Sequence, residues 1–568
     1  MLKTLSGNSF LFPSLVAFRF INALLLKTHF EPDEYFQSVE VAMSILLKKK
    51  VFTWEWFFGI RSFPFVCLFL LPLKIFSYLS KYLERLIRIY TASPPRTSGI
   101  IFMMGAPYVV KMVMAIIAAI GDYSTIHSYI LINRSTEIPR EIVLVCALNL
   151  GQWLYATRSH INSFEAAISV FVFYRILNSQ SITDKIAKKT DYAISVFITS
   201  LLVFVRPSSL FSLACIWGMA VIKEVGAFNL AWRKKEKIVR SWPRFFSVYL
   251  QHSRVISWSN IFTGVASIAL FTAMDSLFYG ELVCSPWEFY KVNITHKISH
   301  LFGTLPFVYV LFFASVLLGA YTAMLILSSF SILSAEFITP AVYTIVHGII
   351  AHKEMRFLLP ILPYLNIIIA KNLKETVAQY KLPSKKEVFG VSFKSFLKRL
   401  AFSKYVFLGN MIVAIAIGLD HQNISRPLDY LRKDCSSRLV SKDAPIFILS
   451  TFNPYMLPMN TYLGHKRIVT RCIDNNPDIT SILRNTKRKK RFQDKEYRLR
   501  LLEHDTMDSC MVDNILNMGP LDYHYIVIDS KYNAELEEKV PEFVKVHESV
   551  HQRVPAQQSV SIYKQAFK

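Results

Sequence analysis

Twelve apolar runs of membrane-crossing or near-crossing length follow one another through the first 420 residues, and no other feature limits the fold as severely. They lie at 11–27, 62–79, 99–120, 142–157, 163–177, 191–205, 208–222, 258–280, 304–328, 336–351, 357–371 and 403–419. The hydrocarbon core of a bilayer, about 30 Å thick, offers no water to exposed peptide groups, so each run must close its hydrogen bonds within a helix. A polytopic, mainly α membrane protein follows. With 52% hydrophobic and 14% aromatic residues and a mean hydropathy of +0.33, a soluble multidomain protein is excluded. Several runs are short, as suits tilted or interrupted helices around a cavity.

Charge gives the runs an orientation. The chain has 65 Lys and Arg against 40 Asp and Glu, a formal net charge of +25. Nucleic acid is not the implied partner, because the cations gather largely in loops between apolar runs and in the C-terminal tail. Basic loops at 74–96, 185–189, 223–244 and 371–399 mark the cytosolic side by the positive-inside rule. Counting from the last two puts 281–303, the His352–Arg356 loop and everything after Asp420 on the opposite, luminal side. Twelve crossings from a cytosolic N-terminus would instead leave the tail in the cytosol. One run between 62 and 222 therefore does not cross, and the short pair 142–157 and 163–177 is where the miscount is expected. Sequons at Asn133, Asn293 and Asn423 fall in loops compatible with a luminal side. The first apolar run lacks a small-residue cleavage site and is expected to remain as the first span.

Seven cysteines show no CxxC pair. Cys67, Cys146 and Cys215 lie in apolar runs and read as buried thiols; Cys435, Cys472 and Cys510 lie in the tail, where a disulfide is open. From about 421 the composition turns polar, with β-rich runs at Ala444–Ser450 and His524–Asp529, which predicts a small mixed α/β domain. The basic run Lys487–Arg491 reads as a solvated loop. The expected division is 1–420 for the multispanning part, with a luminal loop at 28–61, and 421–568 for the tail domain.

Four acids stand in His29-Phe-Glu-Pro-Asp-Glu-Tyr-Phe-Gln-Ser-Val-Glu40: Glu31, Asp33, Glu34 and Glu40. Pro32 biases Glu31 away from helix, so a turn opening into a helix at Asp33 is expected. Acids there are either caps and dipole partners or, beside a membrane surface, a general base. A second stretch, Ala351-His352-Lys353-Glu354-Met355-Arg356-Phe357 followed by Pro360 and Pro363, sets several charges at a membrane edge. Its cations either hold a phosphate, Arg by a planar fork and Lys as a point charge, or snorkel to headgroups. No phosphate-binding Gly-rich loop, H-E-x-x-H or G-x-S-x-G is present, and no DxD pair at a strand end points to a metal-bound nucleotide sugar.

Together with Thr53-Trp54-Glu55-Trp56 and Gly59-Ile60-Arg61-Ser62, the first stretch resembles the first luminal loop of the dolichol-phosphate-mannose-dependent α-mannosyltransferases of the endoplasmic reticulum. The His-Lys-Glu-x-Arg-Phe segment resembles that family's donor-side motif. Thr157-Arg158-Ser-His160-Ile-Asn162-Ser-Phe-Glu165 resembles the family's Thr-Arg-Thr-Leu-Thr-Asn-x-x-Glu pattern, whose polar groups face the cavity, Arg206-Pro207-Ser208-Ser209 its Arg-Pro-Thr turn, and Met274-Asp275-Ser-Leu-Phe-Tyr279-Gly280 its Asp-x-x-Phe-Tyr-Gly segment. Within the family, the Thr-Trp-Glu-Trp loop, the Asn453-Pro454-Tyr455 turn and Cys472 with Pro477-Asp478 are similar to the subfamily that adds the third mannose of the GPI core. The resemblance implies a GT-C glycosyltransferase fold, with the small α/β tail domain luminal. It implies Asp33 as catalytic base with Glu34 beside it. Arg158, His352, Lys353 and Arg356 become donor-phosphate ligands, and Glu55, Trp56 and Arg61 acceptor contacts.

The implied substrates are dolichyl-phosphate mannose and the GPI precursor, with no cofactor, no metal, no nucleic acid and no obligate protein partner. Departures exist. The family's His-Pro-Trp-His-Trp-Tyr segment is replaced around Ser299-His300-Leu-Phe-Gly303, and the arginine expected at Tyr108 is missing, with Lys111 one turn away. Asp122, after Gly121, is expected to end its helix as a cap or loop contact. The competing readings are an N-glycan or fourth-GPI-mannose transferase, and, from a different class, a transporter or scramblase with intramembrane charges along a path.

Overall fold

The structure is a computed structural model, described over residues 10–26, 33–47, 54–90, 100–235, 253–295, 303–381 and 404–420, residues 249 and 430, and five C-terminal strands. His29, Glu31, Pro32, His300, Asn423, Asn453, Pro477, Cys435, Cys510 and the 487–491 basic run lie outside these residues, as does the question of a tail disulfide.

The helices in order are α1 Leu11–Leu25, α2 Asp33–Phe36, α3 Val39–Leu46, α4 Trp54–Phe57, α5 Phe63–Tyr90, α6 Ile100–Asn133, α7 Arg140–Leu148, α8 Leu150–Tyr155, α9 Ile161–Ser181 and α10 Lys185–Val205. After a 3₁₀ turn at Pro207–Ser209 come α11 Leu210–Lys235, α12 Trp258–Tyr279, α13 Ser285–Tyr290, α14 Val308–Leu318, α15 Tyr321–Ile326 and α16 Ala335–Ile349. A 3₁₀ segment, Met355–Ile361, leads into α17 Leu362–Lys381, and α18 spans Lys404–Asp420. Contacts divide the chain into two units: residues 1–26, 53–68 and 111–417, and residues 27–52, 69–110 and 418–568. The second unit thus combines the tail with two segments that the sequence places in the membrane part.

Among the described residues, five helices are long and apolar enough to cross a membrane: Phe63–Tyr90, Met104–Asn133, Pro207–Asn229, Trp258–Tyr279 and Met355–Val377. Other expected spans are interrupted. The run 142–157 breaks at Asn149, whose extended backbone separates α7 from α8. Neither piece, at nine and six residues, reaches across a bilayer alone. The Asn149 side chain accepts from Gln152 N at 3.0 Å and donates to Asn366 Oδ1 at 2.8 Å; Asn366 in turn donates to Gln152 Oε1 at 2.8 Å. The run 304–328 breaks at Gly319, where φ is +55° and ψ is −127°. Asn410 of α18 accepts from the Ala320 amide at 2.9 Å there, satisfying a group the helix gives up.

Where helices pack closely, small residues permit it. A Cβ on Gly121 of α6 would lie 3.0 Å from the Ala167 backbone of α9. Cys146 is buried, whereas Cys67 and Cys215 are only partly so; all three are free thiols.

In the second unit, five strands form one mixed sheet, ordered β2-β1-β3-β5-β4, with β1 Ile446–Ser450, β2 Ile468–Cys472, β3 Tyr525–Asp529, β4 Phe543–Ser549 and β5 Val560–Gln565. β1 is parallel to β2 and β3, while β5 is antiparallel to both β3 and β4. Parallel pairs need crossover connections, so the sheet is not a plain meander.

Candidate active site

In the second unit, α2 begins at Asp33. Glu34 is buried, 6% exposed, while Asp33 remains partly accessible. Gln37, one turn on, donates Nε2–H to Asp33 Oδ2 at 2.6 Å. This i,i+4 contact orients the carboxylate, and only the helical spacing of a glutamine after an acid could have announced it. Tyr35, Phe36, Val39 and Glu40 complete a buried face around it.

In the first unit, residues 350–354 form a loop between α16 and the 3₁₀ segment that carries Arg356 and Phe357. Glu354 is its hub: Oε1 meets His352 Nε2 at 2.8 Å and Oε2 pairs with Arg356 Nη2. His352 Nδ1 also meets the Gly303 carbonyl at 3.0 Å. Burial alone would lower the His352 pKa, but the hydrogen bond and charge of Glu354 outweigh it and raise the imidazole above its ordinary value. Burial alone would raise Glu354; the Arg356 charge and the His352 bond outweigh that and hold its carboxyl below the usual range. Lys353 is buried and gives its ammonium to two carbonyls, Leu305 at 2.7 Å and Ile350 at 2.5 Å. Arg158 is buried too, with Nε donating to the Leu154 carbonyl at 2.7 Å. Of the four expected phosphate ligands, His352 and Arg356 therefore share a carboxylate, while these bonds of Lys353 and Arg158 go to backbone.

Of the expected acceptor contacts, Trp56 and Arg61 are buried. Arg61 pairs with Glu55, and Trp56 is 1% exposed, edge-on to Phe278 and stacked on Tyr279 with ring centres 5.5 and 6.3 Å away. Asp275, buried on α12, accepts from the Phe63 amide at 2.8 Å and from the Ser62 and Ser285 hydroxyls at 2.9 and 2.7 Å. It thereby caps α5 from a distant helix, a role no local pattern announces.

Asp122 differs from expectation. α6 continues to Asn133, so the residue is no helix end. It forms a bidentate pair with buried Arg19 of α1, Nε–Oδ2 2.5 Å and Nη2–Oδ1 2.8 Å. A buried acid within an apolar helix needs such a partner, and Arg19 lies 103 residues earlier. Lys111 donates to the Leu26 carbonyl at 3.0 Å. A cavity of about 30 Å³ beside the pair is lined by Gly121, Asp122, Gln152, Tyr155, Ser163 and Leu359. Its size suits water, not a sugar or a lipid chain.

The pattern of the Alg9-like mannosyltransferase family matches residues 10–463. The chain belongs to that family. Among relatives, the GPI mannosyltransferase 3 of Kluyveromyces lactis is 26% identical over 417 residues, covering 63% of this chain and 65% of that protein. The GPI mannosyltransferase 3 of Yarrowia lipolytica is 27% identical over 368 residues, 64% and 62% of the two chains. The GPI alpha-1,2-mannosyltransferase 3 of Xenopus laevis is 24% identical over 456 residues, 78% and 71%. The matches to the two yeast relatives thus span less than two thirds of those proteins. The fold of this Alg9-like family member is shared with a crystal structure of ArnT from Cupriavidus metallidurans bound to undecaprenyl phosphate, at TM-score 0.50, 11% identity and 98% coverage of each chain. The fold is thus the mainly α, GT-C type.

Proposed function

We propose that the chain is a GPI mannosyltransferase. It transfers mannose from dolichyl-phosphate mannose, in α1,2 linkage and with inversion, onto the second mannose of the GPI precursor. The reaction takes place on the luminal side of the endoplasmic reticulum membrane. Membership of the Alg9-like family carries this reading, and the relatives named GPI mannosyltransferase 3 support the acceptor class.

The residues supply a consistent chemistry. Neighbouring helical residues point about 100° apart, so Asp33 and Glu34 cannot face one hydroxyl together. Asp33 is the accessible member, and Gln37 holds one of its oxygens. It takes the proton of the acceptor's hydroxyl as the hydroxyl oxygen bonds to the anomeric carbon. The bond from that carbon to the phosphate breaks, and its electron pair leaves with dolichyl phosphate. His352 and Arg356 carry the phosphate's charge, with Lys353 and Arg158 contributing to the local positive field. Glu55, Trp56 and Arg61 shape the acceptor side. The donor is a lipid substrate, and no cofactor enters the scheme.

Cells lacking the protein are expected to accumulate GPI precursors with two mannoses while N-glycan precursors remain full length. A shortened N-glycan precursor alongside normal GPI would overturn the assignment.

A further inference from the structure

Arg206 was not among the expected site residues, yet the structure sets it behind the donor loop. It ends α10 in extended backbone, with φ −145°, because the following Pro207 disfavours helix there. Its Nε lies 2.5 Å from Glu165 Oε2, and Tyr343 donates its hydroxyl to Glu165 Oε1 at 3.0 Å. Glu165 is fully buried on α9, so its charge needs both partners. The Arg206 guanidinium lies 5.2 Å from the centre of the Phe357 ring, and Arg356 lies 5.7 Å from the same ring. His347, stacked on Tyr343 at 4.1 Å, stands 6.2 Å from Phe357.

Two groups from outside the loop approach the Phe357 ring, Arg206 at the end of α10 and His347 of α16; Glu165 of α9 pairs with Arg206, and Tyr343 of α16 bonds Glu165 and stacks on His347. Phe357 is the chain neighbour of Arg356, and its own position is set between two guanidinium groups, each attracted to the aromatic π-system. Snorkelling explains none of this, since Glu165 holds Arg206 inward.

We infer that Glu165, Arg206 and Tyr343 form a positioning unit that fixes Phe357, and through it aims Arg356 at the donor phosphate. The inference rests on the donor-loop reading above. Arg206 acts here by placing its neighbour and is not assigned to the phosphate. Misplacement of a binding group by about 1 Å can lower kcat/KM by roughly 100-fold. Loss of the unit is therefore expected to raise the donor KM far more than the acceptor KM.

The test uses the full-length chain in detergent or microsomes, with dolichyl-phosphate mannose as donor and a dimannosyl GPI lipid as acceptor. Arg206→Gln and Glu165→Gln each leave a charged partner buried, so both are expected to lower Tm and to raise the donor KM about tenfold or more. The double variant Glu165→Gln/Arg206→Gln removes both charges. Its Tm is expected to recover toward wild type while its donor KM stays raised. A donor KM that returns to wild type along with Tm would make the cluster purely structural and overturn the inference. Arg356→Ala separates the two levels. If it loses donor affinity while the stable double variant does not, the positioning unit fails and the donor loop stands. If it keeps full activity, the donor-loop reading itself fails.

Discussion

At the scale of single residues, two neighbouring carboxylates are told apart by burial. Replacing Asp33 by Asn keeps shape and hydrogen-bonding capacity but removes the proton acceptor, so kcat is expected to fall by about 10²–10⁴-fold. Glu34→Gln is expected to act mainly on stability, since Glu34 is buried. Wild-type turnover by purified Asp33→Asn would remove it from the mechanism. The donor loop has its own pH signature. His352 is raised above its ordinary value, so its contribution to stability is complete below about pH 6.5 and is lost as pH rises through the folded pKa. Glu354 is lowered, so its contribution is present above about pH 4.3 and is lost as pH falls through its folded pKa. The Tm gap between wild type and His352→Gln is thus expected to be widest between the ranges in which Glu354 and His352 titrate and to shrink as pH rises through the raised folded pKa of His352; a gap that widens with pH there would contradict the pairing. The strings around Asp33 and Arg356 were legible as motifs, but the contacts that hold them, Gln37 on Asp33 and Glu354 on Arg356, come from the structure. Arg206 was legible as part of an Arg-Pro turn but not as a neighbour of the donor loop, because its partners Glu165 and Phe357 are distant in sequence. Trp56 was legible as a motif but not as a buried ring, since burial depends on Phe278 and Tyr279 of another helix.

At the scale of elements, apolar runs located the helices, but periodicity does not register an interruption that another helix repairs. Gly319 illustrates the point. Its φ of +55° with ψ of −127° suits glycine, and an added Cβ would stand 2.8 Å from Asn410 Oδ1. Gly319→Ala is expected to cost about 1–3 kcal/mol, read as a fall in Tm in detergent. Arg19→Met removes one half of a buried bidentate pair and strands Asp122. That loss is expected to be larger, about 3–5 kcal/mol, and Arg19→Met with Asp122→Leu is expected to recover much of it. Equal stability of the single and double variants would show that the charges are not coupled. Neither pair of partners is near in sequence, so neither could be read from local pattern.

At the scale of the whole molecule, composition alone excluded a soluble fold, and the charge of the loops proposed an orientation. The break at Asn149 falls in the segment where the crossing count failed to close, and α7 and α8 are each too short to span. If the proposed orientation puts the tail from 421 on the luminal side, sealed microsomes are expected to protect it from added protease, and Asn423 is the site at which a glycan would report the same orientation. Digestion of the tail in intact vesicles would reverse the topology. The asparagines that mend the interrupted helices also impose an order in time. Asn149 meets Asn366, 217 residues further on, and the Ala320 amide meets Asn410, 90 residues further on. At about 5–20 residues per second of synthesis, the first of these partners emerges roughly 10–40 s after the segment it completes. Throughout that interval the Asn149 side chain caps α8 through the Gln152 amide but its own amide lacks the Asn366 oxygen that accepts from it, and a chain truncated before Asn366 would lack that partner permanently.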